Sequence, residues 1–268
     1  MTWLAGRIAN AQAGAVTTAI VRRFIEHYGV DMAEAAEPEP AAYASFNAFF
    51  TRALREGARP LARADWVCPV DGAISQCGPI EAGTLLQAKG HRYSATALLG
   101  GDAALAAPFQ QGHFATLYLS PRDYHRIHMP AAGTLRHMIH VPGALFSVNP
   151  TTARGVPGLF ARNERVVCVF DGVGANPAPW VLVLVGATIV GSMETVWHGV
   201  VNPPRPGRVR RWDYAGAQAP TLAQGQEMGR FRLGSTVVLL WPAGPLTFEA
   251  GWVPGAPVRL GRPMAHVG

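Results

Sequence analysis

Three stretches of the 268-residue chain carry side chains that can do chemistry. The densest is Tyr118-Leu119-Ser120-Pro121-Arg122-Asp123-Tyr124-His125-Arg126-Ile127-His128-Met129-Pro130, where His125 and His128 sit among arginines between two prolines. Histidine is the side chain whose ordinary pKa suits proton transfer near neutrality. The second stretch is Pro69-Val70-Asp71-Gly72, an acidic turn leading into an apolar run. The third is Leu233-Gly234-Ser235-Thr236, which runs straight into the strand-like Val237-Val238-Leu239-Leu240-Trp241. Gly234 has no side chain, so its carbonyl is open to a neighbouring oxygen, and Ser235 Oγ is the nearest.

Asp71, His128 and Ser235 supply the residue types of a hydroxyl-activating triad. Ser235 lacks the Gly-x-Ser-x-Gly elbow, and strands do not alternate with helices around it, so a conventional serine hydrolase fits poorly. A serine directed at the peptide bond just before it fits better. A metal is not expected. His125/His128 and His137/His140 are each three apart, a spacing that shares a face on a helix but not on the loop and strand inferred here, and no carboxylate or cysteine cluster adjoins them. Lys89, in Gln87-Ala88-Lys89-Gly90, is the only lysine, so a pyridoxal Schiff base has one place to form and no recognisable phosphate cup beside it.

These residues need a frame. Short apolar runs at 72–75, 114–119, 133–141, 166–170, 180–190, 196–201, 237–241 and 247–250, separated by Gly, Pro and Asp, predict a mainly antiparallel, barrel-like β core. The uncharged stretch 180–193 is short, β-branched and broken by Gly186 and Gly191, and reads as buried strand instead of a membrane span. Ahead of the β region, apolar residues recur at helical spacing over 16–28 with Arg22 and Arg23 among them. Residues 34–42 read as an acidic, proline-containing linker and 43–54 as a second helix. The expectation is an α+β protein with a helical N-terminal segment (1–60) and a β-rich catalytic domain (61–268).

Formal charge is +6 with a pI near 9.7, carried almost entirely by arginine, which suits an anionic partner. The basic run Arg205, Arg208, Arg210 and Arg211 has no interleaved aromatics of the kind a nucleic-acid platform uses, so headgroups or solvent are the better expectation. Three irregularly spaced cysteines, Cys68, Cys77 and Cys168, imply no disulfide framework and a reducing compartment. The N-terminus lacks a signal-peptide pattern, and the charge-free run 8–21 is too short to span a bilayer.

Taken together, Phe49-Phe50-Thr51-Arg52-Ala53-Leu54-Arg55, Asp71-Gly72, Gln87-Ala88-Lys89-Gly90, the 118–130 block, Asn163-Glu164-Arg165, the 185–194 strand and Leu233-Gly234-Ser235-Thr236 resemble the bacterial phosphatidylserine decarboxylases, and in the same order along nearly the whole chain. The resemblance implies self-cleavage between Gly234 and Ser235 into a large chain 1–234 and a small chain 235–268. Asp71 would orient His128, and His128 would take the Ser235 proton. The new N-terminus would become a covalent pyruvoyl group, a ketone with which a substrate amine can condense as carbon dioxide leaves. The same matching makes His125 the residue that manages protonation after decarboxylation. Phosphatidylserine is the implied substrate and phosphatidylethanolamine the product. The implied setting is peripheral, on the cytoplasmic face of the bacterial membrane against anionic lipid, with room for a homodimer and no nucleic acid. A non-catalytic lipid-binding barrel, or a hydrolase that keeps Ser235 as a hydroxyl, is the competing expectation.

Overall fold

The computed structural model describes residues 9–174, 177–188, 192–202, 207–232 and 235–268. Consecutive apolar residues decide its architecture. In strand Pro179–Val185, Trp180, Leu182 and Leu184 point to one hydrophobic cluster, while Val181, Val183 and Val185 point to another. Strand Ser235–Trp241 divides in the same way, with Val237 and Leu239 on the first side and Val238 and Leu240 on the second. Because successive strand residues face opposite ways, an unbroken apolar run makes a strand that is buried on both faces. Burial of each such side chain contributes about 1.5–3 kcal/mol, which is why these strands lie at the centre and not at an edge.

Around that centre the order is Arg210–Asp213, Gly133–Val141, Arg165–Gly172, Pro179–Val185, Ser235–Trp241, His113–Leu119, Gly72–Pro79 and Pro257–Val258, with Thr221–Leu222 also pairing to Gly133–Val141. All of these pairings are antiparallel. The expected antiparallel, helix-decorated architecture holds, but the barrel is corrected. The sheet is open, since its outer strands Arg210–Asp213 and Pro257–Val258 do not pair with each other among the described residues. A barrel encloses one core, whereas this sheet packs two, one centred on Trp66, Trp180 and Trp241 and the other under Leu98 and Phe160.

A second sheet, in the order Gly199–Val200, Met193–Thr195, Glu227–Phe231, Arg126–His128, stands beside the first. Helix Ala15–Tyr28 buries Thr17 and Val21 and stops where Gly29 adopts a left-handed conformation, φ 65°. It packs with the short helix Phe46–Phe50 through Val21, Val30 and Phe49. The second helix is much shorter than the expected 43–54. The acidic segment expected as a linker before it is tied down: Glu34 accepts a hydrogen bond from Arg59 at 2.6 Å and pairs with Arg259 at 3.3 Å.

Candidate active site

Three neighbouring strands end together. Ala73 pairs with Tyr118 across one ladder, and Ser235 pairs with Leu119 across the next. Gly72 is required where it stands, because a Cβ there would collide with the Tyr118 carbonyl oxygen. The topology thus brings Asp71, the 120–128 segment and the backbone of residue 235 to one end of the sheet. Leu233, Gly234 and the Ser235 side chain lie outside the described residues, as do residues 1–8, Arg205 and 189–191.

After strand His113–Leu119 the chain turns, with Asp123 accepting from the Ser120 amide at 2.6 Å and the Asp123 amide donating to the Ser120 carbonyl at 3.0 Å. This turn delivers His125 into the interior with no exposed surface, its ring 4.0 Å from that of Phe50. His125 Nδ1 is 2.8 Å from the Asp123 carbonyl. A carbonyl can only accept, so Nδ1 carries the proton and Nε2 presents a bare lone pair. That Nε2 is buried and has no hydrogen-bond partner. Burial pushes the His125 pKa down to about 3, with the Asp123 bond acting in the opposite direction, so the ring is neutral at physiological pH.

His128 is fixed in the same manner by different partners. Nδ1 donates to the Gly225 carbonyl at 2.7 Å, and Nε2 lies 3.1 Å from the Tyr124 hydroxyl, which must therefore donate to it. Burial again lowers the histidine pKa, and burial also raises that of the Tyr124 phenol, which keeps its proton. Tyr124→Phe is expected to leave Nε2 without its donor and to slow any reaction that uses His128 by about tenfold, the worth of one hydrogen bond. A pulse-labelled time course of chain processing checks this.

Asp71 is at the site, but its partners differ from those expected. Its carboxylate accepts two bonds from Arg59 Nε, at 3.0 and 3.1 Å, one from Arg59 Nη2 and one from the Leu260 amide at 2.9 Å. Both nitrogens of His128 are occupied by Gly225 and Tyr124, so the direct Asp71–His128 hydrogen bond is absent among the described residues. A backbone carbonyl and a phenol orient the imidazole, and Asp71 acts on it only through its field. Arg59 is buried, which by itself would lower its pKa, yet its bonds to Asp71 and Glu34 hold it firmly cationic.

The other sequence candidates are engaged elsewhere. Lys89 is exposed at the tip of the hairpin Thr84–Ala88/His91–Ser94 with φ 46°, while Gln87 beside it pins the following helical turns through Ala153, Val156 and Leu159. His137 pairs with Asp213 at 2.6 Å, and His140 with Glu164 at 2.8 Å in the interior. Arg210 donates to the Val201 carbonyl, and Arg211 pairs with Asp213 and Asp102. The contributions of Arg59, Tyr124 and Gly225 had no signal in the sequence that would assign them roles, since Gly225 is 97 residues from the ring it holds.

Two cavities open on this constellation. One, of about 270 Å³, is lined by Arg52, Arg59, Asp71, Gly72 and Tyr124 among others. The other, of about 290 Å³, is lined by Arg59, Tyr124, His128 and Gly225 among others. The buried neutral His125 makes the site pH-sensitive. The folded His125 pKa lies below its unfolded value, so the unfolded chain binds the extra proton and stability falls as pH drops from about 6.5 toward 3. The slope from His125 approaches about 1.4 kcal/mol per pH unit. Urea unfolding at a series of pH values, with His125→Gln as the comparison, should show that component disappear.

Fold and site together define a protein with one buried and one half-buried histidine at one end of an open antiparallel sheet. The profile of a family described as phosphatidylserine decarboxylase matches residues 46–266, and a second, described as PSD, matches residues 1–29. The chain belongs to the phosphatidylserine decarboxylase family. It is 70% identical over 266 residues to the phosphatidylserine decarboxylase proenzyme of Delftia acidovorans, covering 99% of this chain and 92% of that one. The proenzymes of an Azoarcus species and of Chromobacterium violaceum are 69% and 66% identical, covering 100% and 99% of this chain and 91% and 94% of theirs.

Proposed function

We propose that the chain is a proenzyme that cleaves itself between Gly234 and Ser235 and then decarboxylates phosphatidylserine to phosphatidylethanolamine, using a pyruvoyl group derived from Ser235. The observation that carries this reading is the convergence of residue 235, the buried His125, the half-buried His128 and Asp71 on one end of the sheet, in a chain whose relatives of 66–70% identity are named proenzymes. In the processing step the Ser235 oxygen attacks the Gly234 carbonyl and the hydroxyl proton moves to His128 Nε2, the nitrogen that Tyr124 now caps. The amide becomes an ester as its nitrogen takes up the proton. Elimination breaks the chain to leave Gly234 as a carboxylate and residue 235 as dehydroalanine, and water converts that residue to the ketone with release of ammonia.

The residues present fit the group. His125 Nε2 is an acceptor with no partner among the described residues, as a site awaiting a donor on a substrate requires. When formed, the pyruvoyl ketone supplies an electron sink for a substrate bearing an α-amino group. His125 Nε2 is placed to deliver to the α-carbon the proton that replaces the departing carboxylate, a proton drawn in the end from solvent because the amine enters and leaves as an ammonium. Phe50, against the His125 ring, keeps water from that nitrogen.

Cleavage need not separate the pieces. Strand Ser235–Trp241 lies in the middle of the sheet, paired over its whole length with His113–Leu119 and over Thr236–Leu240 with Pro179–Val185. The test is twofold: two bands on a denaturing gel from a single native species, and an intact mass for the 235–268 piece that shifts on treatment with hydroxylamine or borohydride. One full-length band with an ordinary serine in active protein would sink the proposal.

Access to a lipid is provided at the N-terminal helix. Val16 is 61% and Ile20 44% exposed, one turn apart, and Arg22 and Arg23 are exposed near them. Among the described residues no helix is long and apolar enough to cross a membrane. This helix lies in the interface of the cytoplasmic leaflet, its arginines toward anionic headgroups.

A further inference from the structure

The wall of the 270 Å³ cavity over Asp71 is crowded with charge, and among the described residues one of its charged side chains keeps buried donors without a partner. Glu34 is paired with Arg59 and Arg259, and Asp71 with Arg59 and the Leu260 amide. Asp31 accepts from the Ala33 amide, and Asp123 accepts from the Ser120 amide with Arg122 4.0 Å away. The exception is Arg52. It is 5% exposed, its Nη2 donates to the Arg122 carbonyl at 3.0 Å, and its Nε and Nη1 are buried with no partner. No carboxylate is bonded to it, and its guanidinium rests over the Phe49 ring at 5.3 Å. Burial accordingly lowers its pKa, opposed by the fields of Tyr43, Asp123, Asp71 and Tyr124. Leaving a buried cation half-satisfied costs several kcal/mol, and an anion in the cavity would recover it.

We infer that Arg52 is the site for the phosphodiester of the substrate headgroup. The inference rests on the reading of the site as a phosphatidylserine decarboxylase. Gly72, on the cavity wall, begins the strand that pairs with His113–Leu119, and Leu119 pairs with residue 235, so two strand spacings, about 10 Å, separate the wall from the reacting residue. Four bonds lie between the amine and the phosphorus of a serine phosphodiester and span roughly 5 Å. An amine held at position 235 therefore leaves its phosphate within an arginine's reach of this wall.

The substrate carboxylate is the wrong anion for the same place. An ion pair to it would be lost in the transition state as carbon dioxide forms, which stabilises the ground state and slows the reaction. The phosphodiester keeps its charge throughout. Each bidentate face of a guanidinium includes Nη2, so the unpartnered Nε or Nη1 together with the second hydrogen of Nη2 can meet two phosphate oxygens, a geometry that lysine cannot reproduce.

The test uses Arg52→Gln and Arg52→Lys in the full-length chain, assayed on phosphatidylserine in mixed micelles and on an O-alkyl serine. The second compound has the amine and carboxylate but no phosphodiester. Arg52→Gln should lower kcat/KM for the phospholipid by roughly 10- to 100-fold and leave the O-alkyl serine unchanged, with Arg52→Lys between. Glycerophosphate should compete with the lipid on the wild type and not on Arg52→Gln, and inorganic phosphate should compete more weakly. Equal loss on both substrates, or no loss on either, overturns the inference. So does inorganic phosphate binding as well as glycerophosphate while lipid kinetics ignore Arg52, which would mark a free-phosphate site.

If Arg52→Gln does not fold, glycerophosphate must still raise the thermal midpoint of the wild type and raise that of Arg52→Lys less; no shift in the wild type overturns the inference. A wild type that stays uncleaved and inactive refutes the proposed function, and the glycerophosphate shift then still reports on Arg52 separately.

Discussion

Ser235→Ala is expected to give a single full-length chain with no decarboxylase activity. The loss should be complete, because the substitution removes the oxygen that would attack Gly234 and, with it, the precursor of the ketone. Folding should survive. The pairing of residue 235 with Leu119 is made by backbone groups, and the apolar residues that hold the strand begin after it, at Val237. An unfolding midpoint close to that of the wild type, together with an uncleaved mass, distinguishes loss of chemistry from loss of structure. Appreciable turnover by the uncleaved variant would contradict the pyruvoyl assignment and return the protein to ordinary hydrolase or acid–base chemistry.

His125→Gln separates the two reactions. The expected result is normal cleavage and a decarboxylation rate lowered by about 10²–10⁴-fold, the range for removing a positioned acid–base group. The reasoning follows from the partners of the two rings. His128 is held from both sides, by Gly225 and Tyr124, whereas His125 keeps Nε2 bare. A ring whose pKa lies near 3 is not protonated at rest. Any proton it acquires during turnover is readily given up, which is what protonation of a carbon centre needs. Glutamine cannot take up that proton, and it removes the cost of burying an ionisable ring. The variant should therefore be more acid-stable while less active. Cleavage and decarboxylation failing together would place His125 in self-processing instead.

Some of this was legible along the chain because it depends on neighbours in sequence. The apolar runs 114–119, 133–141 and 237–241 form strands within a few residues of those limits, since a β-branched stretch bounded by Gly, Pro or Asp has few alternatives. Helix Ala15–Tyr28 follows from its spacing and ends at Gly29. The expectation of a long helix over 43–54 failed because that region is used for side-chain contacts: Phe50 covers His125, Arg52 reaches the Arg122 carbonyl, and the Thr51 carbonyl accepts from Arg126. A short helix, Phe46–Phe50, capped by Ser45, is what those anchors permit.

By itself the sequence determined which groups can react: Asp71, His125, His128 and a serine placed directly after a glycine, together with the strands that hold them. It could not decide how those groups are wired. Asp71 finds Arg59 twelve residues away and the Leu260 amide 189 residues away, and His128 finds Gly225 across 97 residues. A hydrogen bond is a matter of a few tenths of an ångström and of direction. Only the packed sheet, which sets its strand ends side by side, fixes both. The tertiary structure therefore exchanged the expected carboxylate partner of His128 for a carbonyl and a phenol, left His125 with a free lone pair, and buried the guanidinium of Arg52 without a counter-charge.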